Sequence, residues 1–165
     1  MIETLIQTMM YYFGSDVRRI NHALKVYALA DCIARSEHLT DNELSTVDIA
    51  AIFHDIGIKE AERKYHSNSG HYQELEGPAV AKALLADAGL DEVQLNRICF
   101  LIGHHHSYQQ IDGIDFQILV EADFLVNCYE DELSKASVNS IRQKYIKTET
   151  GIKLIESMYL SAASI

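Results

Sequence analysis

A single proline, Pro78, stands in the whole of this 165-residue chain. Apolar residues recur at intervals of three and four almost throughout, the period of an amphipathic helix rather than the alternation of a strand. The expectation is an all-α fold of about six to eight helices, forming one compact domain over residues 1–165. Stop and start signals divide it. "MIETLIQTMMYYF" is a first helix ending near Gly14, and Ser15 can cap the second, "DVRRINHALKVYALADCIARSE". Thr40 and Glu43 form a capping-box pattern opening a third that ends at Gly57. Residues 58–73 break the period and read as a long loop. Pro78 fits the first turn of the fourth helix, closed by Gly89, and Asp91 opens the fifth, ending at "GHHHSY". A loop through Gly113 leads to a sixth around "FQILVEADFLVNCYEDEL", and segments about 134–147 and 150–162 complete the chain. No repeat, low-complexity tract or linker interrupts it.

Polar residues fall on three of these apolar stripes. His22 shares a row with Val26, Leu29 and Ile33; His54 shares one with Val47, Ala50 and Ile58, with Asp55 about 100° round. Asp123 lies in the seam of Phe116, Leu119 and Val126. Singly, each has an ordinary structural explanation. Together, two imidazoles and two carboxylates facing inward would be a costly way to build a core, because a buried charge needs a partner. A divalent cation removes the difficulty, and His with Asp suits Mn, Fe, Co, Ni or Zn. The three cysteines, Cys32, Cys99 and Cys128, are far apart and form no C-x-x-C pair, so they read as buried thiols in a reducing compartment.

The order His22, His54–Asp55, Asp123 resembles the H…HD…D signature of the HD-domain metal-dependent phosphohydrolases, with "HDIG" as its local form, "INHALKV" upstream and "VEADFLVN" downstream. The resemblance runs from about residue 15 to about 131. It implies an all-helical HD fold in which His22, His54, Asp55 and Asp123 bind one metal ion and a phosphate mono- or diester, often a nucleotide, is hydrolysed. Related binuclear proteins carry a further histidine in a pattern like H-E-x-x-G; here "YQELEGPAV" puts Gln73 in its place, which puts a second ion in doubt. Relatives also carry histidines where "GHHHSY" stands, and helical continuation from Ile98 and Leu101 favours His104 and His105 over His106.

Asp55, beside the expected metal, is the candidate for orienting or deprotonating a nucleophilic water. Lys59, Arg63 and Lys64 follow the His–Asp pair, and Arg18 and Arg19 precede His22 by about a turn; Arg19 and Lys59 are the strongest candidates to grip a phosphate. The segment 58–73 reads as a lid or binding loop. Tyr65, Tyr72 and Tyr108 fall in loops near the expected site, where one could stack on a base, and Glu121 reads as an outer-sphere or surface acid.

The formal charge of −10 works against a stable nucleic-acid partner, which needs a basic face. A small phosphate substrate at a local positive site remains compatible. The N-terminus has no basic region or cleavage site of a secretion signal, and no apolar run approaches the ~18 residues of a membrane span. These features point to the cytoplasm. Monomer and homodimer are both compatible with the apolar terminal stretch "GIKLIESMYLSAASI". Two other readings stay open: a di-iron oxygenase, which needs two ions, and a non-catalytic nucleotide-sensing module, for which intact ligands would be unexpected.

Overall fold

The structure, a computed structural model, describes residues 1–161, so the last residue of the expected 150–162 helix lies outside them. The described residues form α1 (Ile2–Phe13), α2 (Val17–Ser36), α3 (Asp41–Phe53), α4 (Ile58–Tyr65), α5 (Gly70–Leu84), α6 (Glu92–Ile102), α7 (Ile114–Glu130), α8 (Lys135–Tyr145) and α9 (Glu149–Ile155), with no strand among them. A 3-10 turn spans Tyr108–Gln110 and a wide π-type turn follows α9 at Glu156–Leu160.

The helix ends follow local chemistry. Gly14 and Gly89 take φ of 64° and 72°, the left-handed region where a glycine stops a helix without strain. Asp16, rather than Ser15, caps α2: its carboxylate accepts the Arg19 N–H at 3.2 Å. The capping box on α3 forms as expected, with Glu43 accepting the Thr40 N–H at 2.9 Å and Thr40 accepting the Glu43 N–H.

The middle of the fold is α3, in which Thr46 through Phe53 are all buried. A helix covered on every side is mostly apolar all round, and Thr46 and Asp48 are the polar exceptions in this stretch. Val47, Ala50 and Ala51 join an apolar cluster with Val26, Ala30 and Ile33 of α2 and Phe116 and Leu119 of α7. On the opposite side Ile49, Ile52 and Phe53 pack with Met9 of α1, Leu85 next to α5, and Ile98 and Ile102 of α6. Each such Leu, Ile or Phe is worth roughly 1.5–3 kcal/mol on burial, which offsets the cost of drying the polar groups at the helix end.

Residues 58–73 are not a long loop. Ile58 and Ala61 are buried one turn apart, and the good helix formers around them complete α4. Only residues 66–69 connect it to α5, which starts at Gly70 rather than at Pro78. Pro78 therefore sits inside α5 and has no N–H to offer the Glu74 carbonyl. Its ring packs against Gly103, where an added Cβ would lie 2.9 Å from Pro78 Cγ. Gly57 has a close-approach role too: a Cβ there would meet the Gln73 carbonyl oxygen at 2.4 Å and Gly77 N at 2.6 Å. The turn after α3 thus rests backbone to backbone on α5. Of the free cysteines, only Cys128 is buried; Cys99 is half-buried and Cys32 exposed.

Candidate metal centre and its cavity

Three helices bring the expected ligands together. His22 points inward from α2, Asp123 from α7, and His54 and Asp55 occupy the turn that α3 runs into after Phe53. His54 is 1% exposed, Asp123 6% and His22 8%. His22 Nε2 lies 3.1 Å from His54 Nε2, 3.2 Å from Asp123 Oδ1 and 3.6 Å from Asp55 Oδ2. His54 Nε2 lies 3.5 Å from Asp55 Oδ2 and 3.8 Å from Asp123 Oδ1.

The other ring nitrogens explain why this cluster fits a cation. His54 Nδ1 donates to the Ala51 carbonyl at 2.8 Å, and His22 Nδ1 to Glu130 Oε2 at 2.9 Å. With Nδ1 carrying the proton, each neutral imidazole turns a lone pair on Nε2 toward the other and toward two carboxylates. Four acceptors facing one another repel unless a positive charge sits among them. A proton serves in part: burial opposes charge on His22, yet Asp123, Asp55 and Glu130 outweigh it and hold its pKa at about 9. Burial pushes His54 down instead. Burial would also raise Asp55, but the imidazoles of His54, His105 and His22 overcome it and keep its pKa below the usual carboxylate range.

Asp55 has two faces. While Oδ2 turns to His22 and His54, Oδ1 lies 3.5 Å from His105 Nε2. Asp55, His105 and His106 form a second group with donor atoms close enough for an ion, beside the first group of His22, His54 and Asp123. His105 Nε2 is buried with no hydrogen-bond partner, while its Nδ1 donates to the Ile102 carbonyl at 2.8 Å. Gln73 flanks this second group without joining it; its Oε1 accepts from His106 Nε2 at 3.3 Å and its Nε2 donates to Asn68 O at 2.7 Å.

His104, expected at the site, is turned away. Its Nδ1 bonds the Phe100 carbonyl at 2.7 Å and its ring stacks on Phe100. The helix ends at Ile102, so helical phase does not carry through the following turn, and His105 and His106 take the inward places.

A cavity of about 410 Å³ opens over His22, Asp55, Asp123 and His106. Arg19 lines it, but its guanidinium is occupied by Asp16 at 2.9 Å and by Glu62 at 2.6 and 3.1 Å. Arg18 lines it as well, exposed and free of any ion pair among the described residues. The remaining expected phosphate grips lie elsewhere, because helix α4 carries them off. Lys59 donates to the Tyr12 carbonyl at 2.8 Å and sits over the Tyr12 ring. Arg63 pairs with Glu60 at 2.7 Å, and Lys64 pairs with Glu76. Tyr65 and Tyr72 stack on each other, with the Tyr65 hydroxyl on Glu76.

Three further side chains shape the centre. Glu130 orients His22 and also binds Lys25; Asn127 donates to Asp123 Oδ1 at 2.8 Å. Both follow Asp123 at helical spacing, at i+7 and i+4, so the sequence carried a signal for them. Asn68, in the short turn before α5, lines the cavity. Glu121 is neither an outer-sphere group nor exposed. It is fully buried and accepts from Gln117 Nε2, Lys147 N, Thr148 N and Thr148 Oγ1, fastening the start of α9.

Comparison with known proteins gives the family and the fold. No curated protein matches the chain. The fold is similar to the crystal structure of a predicted HD superfamily hydrolase from an uncultured Thermotogales bacterium, with a TM-score of 0.71 at 24% identity over 96% of this chain and 84% of that one. No described helix is long and apolar enough to cross a membrane. The family model of the HD domain matches residues 19–148, a span that contains His22, His54, Asp55, His105, His106 and Asp123; the chain belongs to the HD domain family.

Proposed function

We propose that the protein is a metal-dependent phosphohydrolase acting on a small phosphate ester, with one tightly held divalent ion (Mn, Fe, Co, Ni or Zn) at His22, His54, Asp55 and Asp123. The observation that carries this reading is the set of four mutually facing acceptors, of which His22, Asp55 and Asp123 line a cavity and His54 lies buried behind them. An ion held there would lower the pKa of a bound water and polarise a phosphoryl oxygen. Asp55 is suited to orient that water, because its Oδ2 faces His22 and His54 while its Oδ1 faces His105. His106 and Arg18, which reach the cavity, supply donors to the phosphoryl oxygens. The water oxygen bonds to phosphorus, the ester P–O bond breaks, and the leaving oxygen takes a proton. A second, weaker ion position is offered by Asp55, His105 and His106, where Gln73 contributes only a neutral amide.

Turnover of a panel of nucleotides and phosphomonoesters with each divalent ion in turn tests the reading. Activity is expected to need added metal, to disappear with a chelator, and to be lost in Asp55→Ala. An Asp55→Ala protein that keeps both metal and turnover would remove the assigned role. The two-faced position of Asp55 also keeps a di-iron oxygenase as the second reading. Two irons per chain with oxygen uptake, and no phosphate release, would favour it.

A further inference from the structure

His106 is shared by two cavities. Beyond it, away from the ligand cluster, lies a second cavity of about 610 Å³. Lys144 and Lys147 line it, and no carboxylate does, in a chain whose formal charge is −10. Both lysines are exposed. Neither lysine has an ion pair among the described residues, and Lys147 Nζ donates to the Gln143 carbonyl at 3.1 Å. Elsewhere Arg19, Arg97 and Arg142 are each held by a carboxylate.

The nearby acids are turned to donors other than the lysine ammonium groups. Glu121 faces its own donors behind Thr148, and Glu74 accepts from His106 N and Ser107 Oγ. The wall is firm: Tyr108 and Tyr145 rings lie 4.9 Å apart, and Tyr145 stacks on Phe124. Gln109 and Gln110 bring amides to it.

We infer that this cavity is an anion subsite for the leaving portion of the substrate, which is therefore a phosphate ester carrying a second phosphate or comparable anionic group. That the portion held is a leaving group rests on the hydrolase reading above. The affinity for an anion does not.

Adenosine 3′,5′-bisphosphate and adenosine 5′-monophosphate differ by one phosphate and serve as probes. Each is titrated calorimetrically into the purified full chain, with released phosphate measured in the same samples. The wild-type chain is expected to bind the bisphosphate more tightly than the monophosphate. Replacing Lys144→Glu and Lys147→Glu together should weaken bisphosphate binding about tenfold or more. The same charge change placed at Lys82 and Lys135, both exposed and outside the cavity, should not. Equal wild-type binding of the two probes, no binding of either, or an unchanged bisphosphate affinity in the Lys144/Lys147 variant overturns the subsite. If binding behaves as expected but no phosphate is released from any probe or panel ester, the subsite stands and the leaving-group role falls with the hydrolase reading.

Discussion

Glu130 offers the sharpest test of how the cluster is held. His54 and His105 fix their Nδ1 protons on main-chain carbonyls, Ala51 and Ile102, which no side-chain substitution removes. His22 alone relies on a side chain, Glu130 Oε2 at 2.9 Å. Removing such an outer carboxylate from a ligating histidine costs about 10–100-fold in metal affinity, because the ring loses its orientation and basicity. That is about 1.4–2.8 kcal/mol. Glu130→Ala should therefore bind zinc that much more weakly than wild type in a competition titration against a chromophoric chelator. Glu130→Gln, which keeps an acceptor but no charge, should fall between them. Lys25→Ala provides the control: that ion pair is half exposed, and exposed pairs are worth under about 1 kcal/mol. The reasoning fails if Glu130→Ala binds zinc within about twofold of wild type, or if Lys25→Ala loses as much.

Three stability predictions follow from other parts of the fold. Glu121→Ala strands the Lys147 and Thr148 N–H groups and the Thr148 hydroxyl, and should cost about 3–5 kcal/mol in urea unfolding; under 1 kcal/mol would contradict the clamp. Gly57→Ala forces a Cβ against main-chain atoms of α5 and should cost about 1–3 kcal/mol, read as a lowered Tm. Asp48 is buried on α3, with Oδ1 lacking any partner, and burial together with Asp31 raises its pKa to about 6 despite Arg35. Because the folded pKa exceeds the unfolded 3.8, the folded chain holds the proton longer, and stability falls as pH rises from about 4 through 6. At about 1.4 kcal/mol per pKa unit the penalty above pH 6 is about 3 kcal/mol. Asp48→Asn should recover most of it at pH 8 and flatten that slope in urea titrations, whereas an unchanged slope would show that another group sets it.

Much of this was legible in the chain because it depends on local spacing. The apolar rows of α2 and α7 put His22 and Asp123 inside, and the Thr40–Glu43 box marked the start of α3. Features that depend on the fold as a whole were not. The Ser, Asn, Gly and His of residues 66–71 hid α4, whose buried face is only Ile58 and Ala61. Pro78 looked like a helix start because nothing local shows that α5 and α6 meet at Gly103 closely enough to hold a proline inside the helix. The ion-pair partners of the cations were hidden for a related reason. Arg19 pairs with Glu62 on α4, a partner 43 residues away that nothing in the local sequence reveals. His104 was favoured over His106 by a helical phase that ends at Ile102.

The central claim is that side chains from three helices surround one cation. Anomalous diffraction from crystals grown with zinc or manganese measures it directly. The account predicts a full-occupancy peak bonded to His22 Nε2, His54 Nε2, Asp55 and Asp123. A peak that lies elsewhere, or a cluster that stays free of metal while His22 remains bonded to a carboxylate, would contradict it.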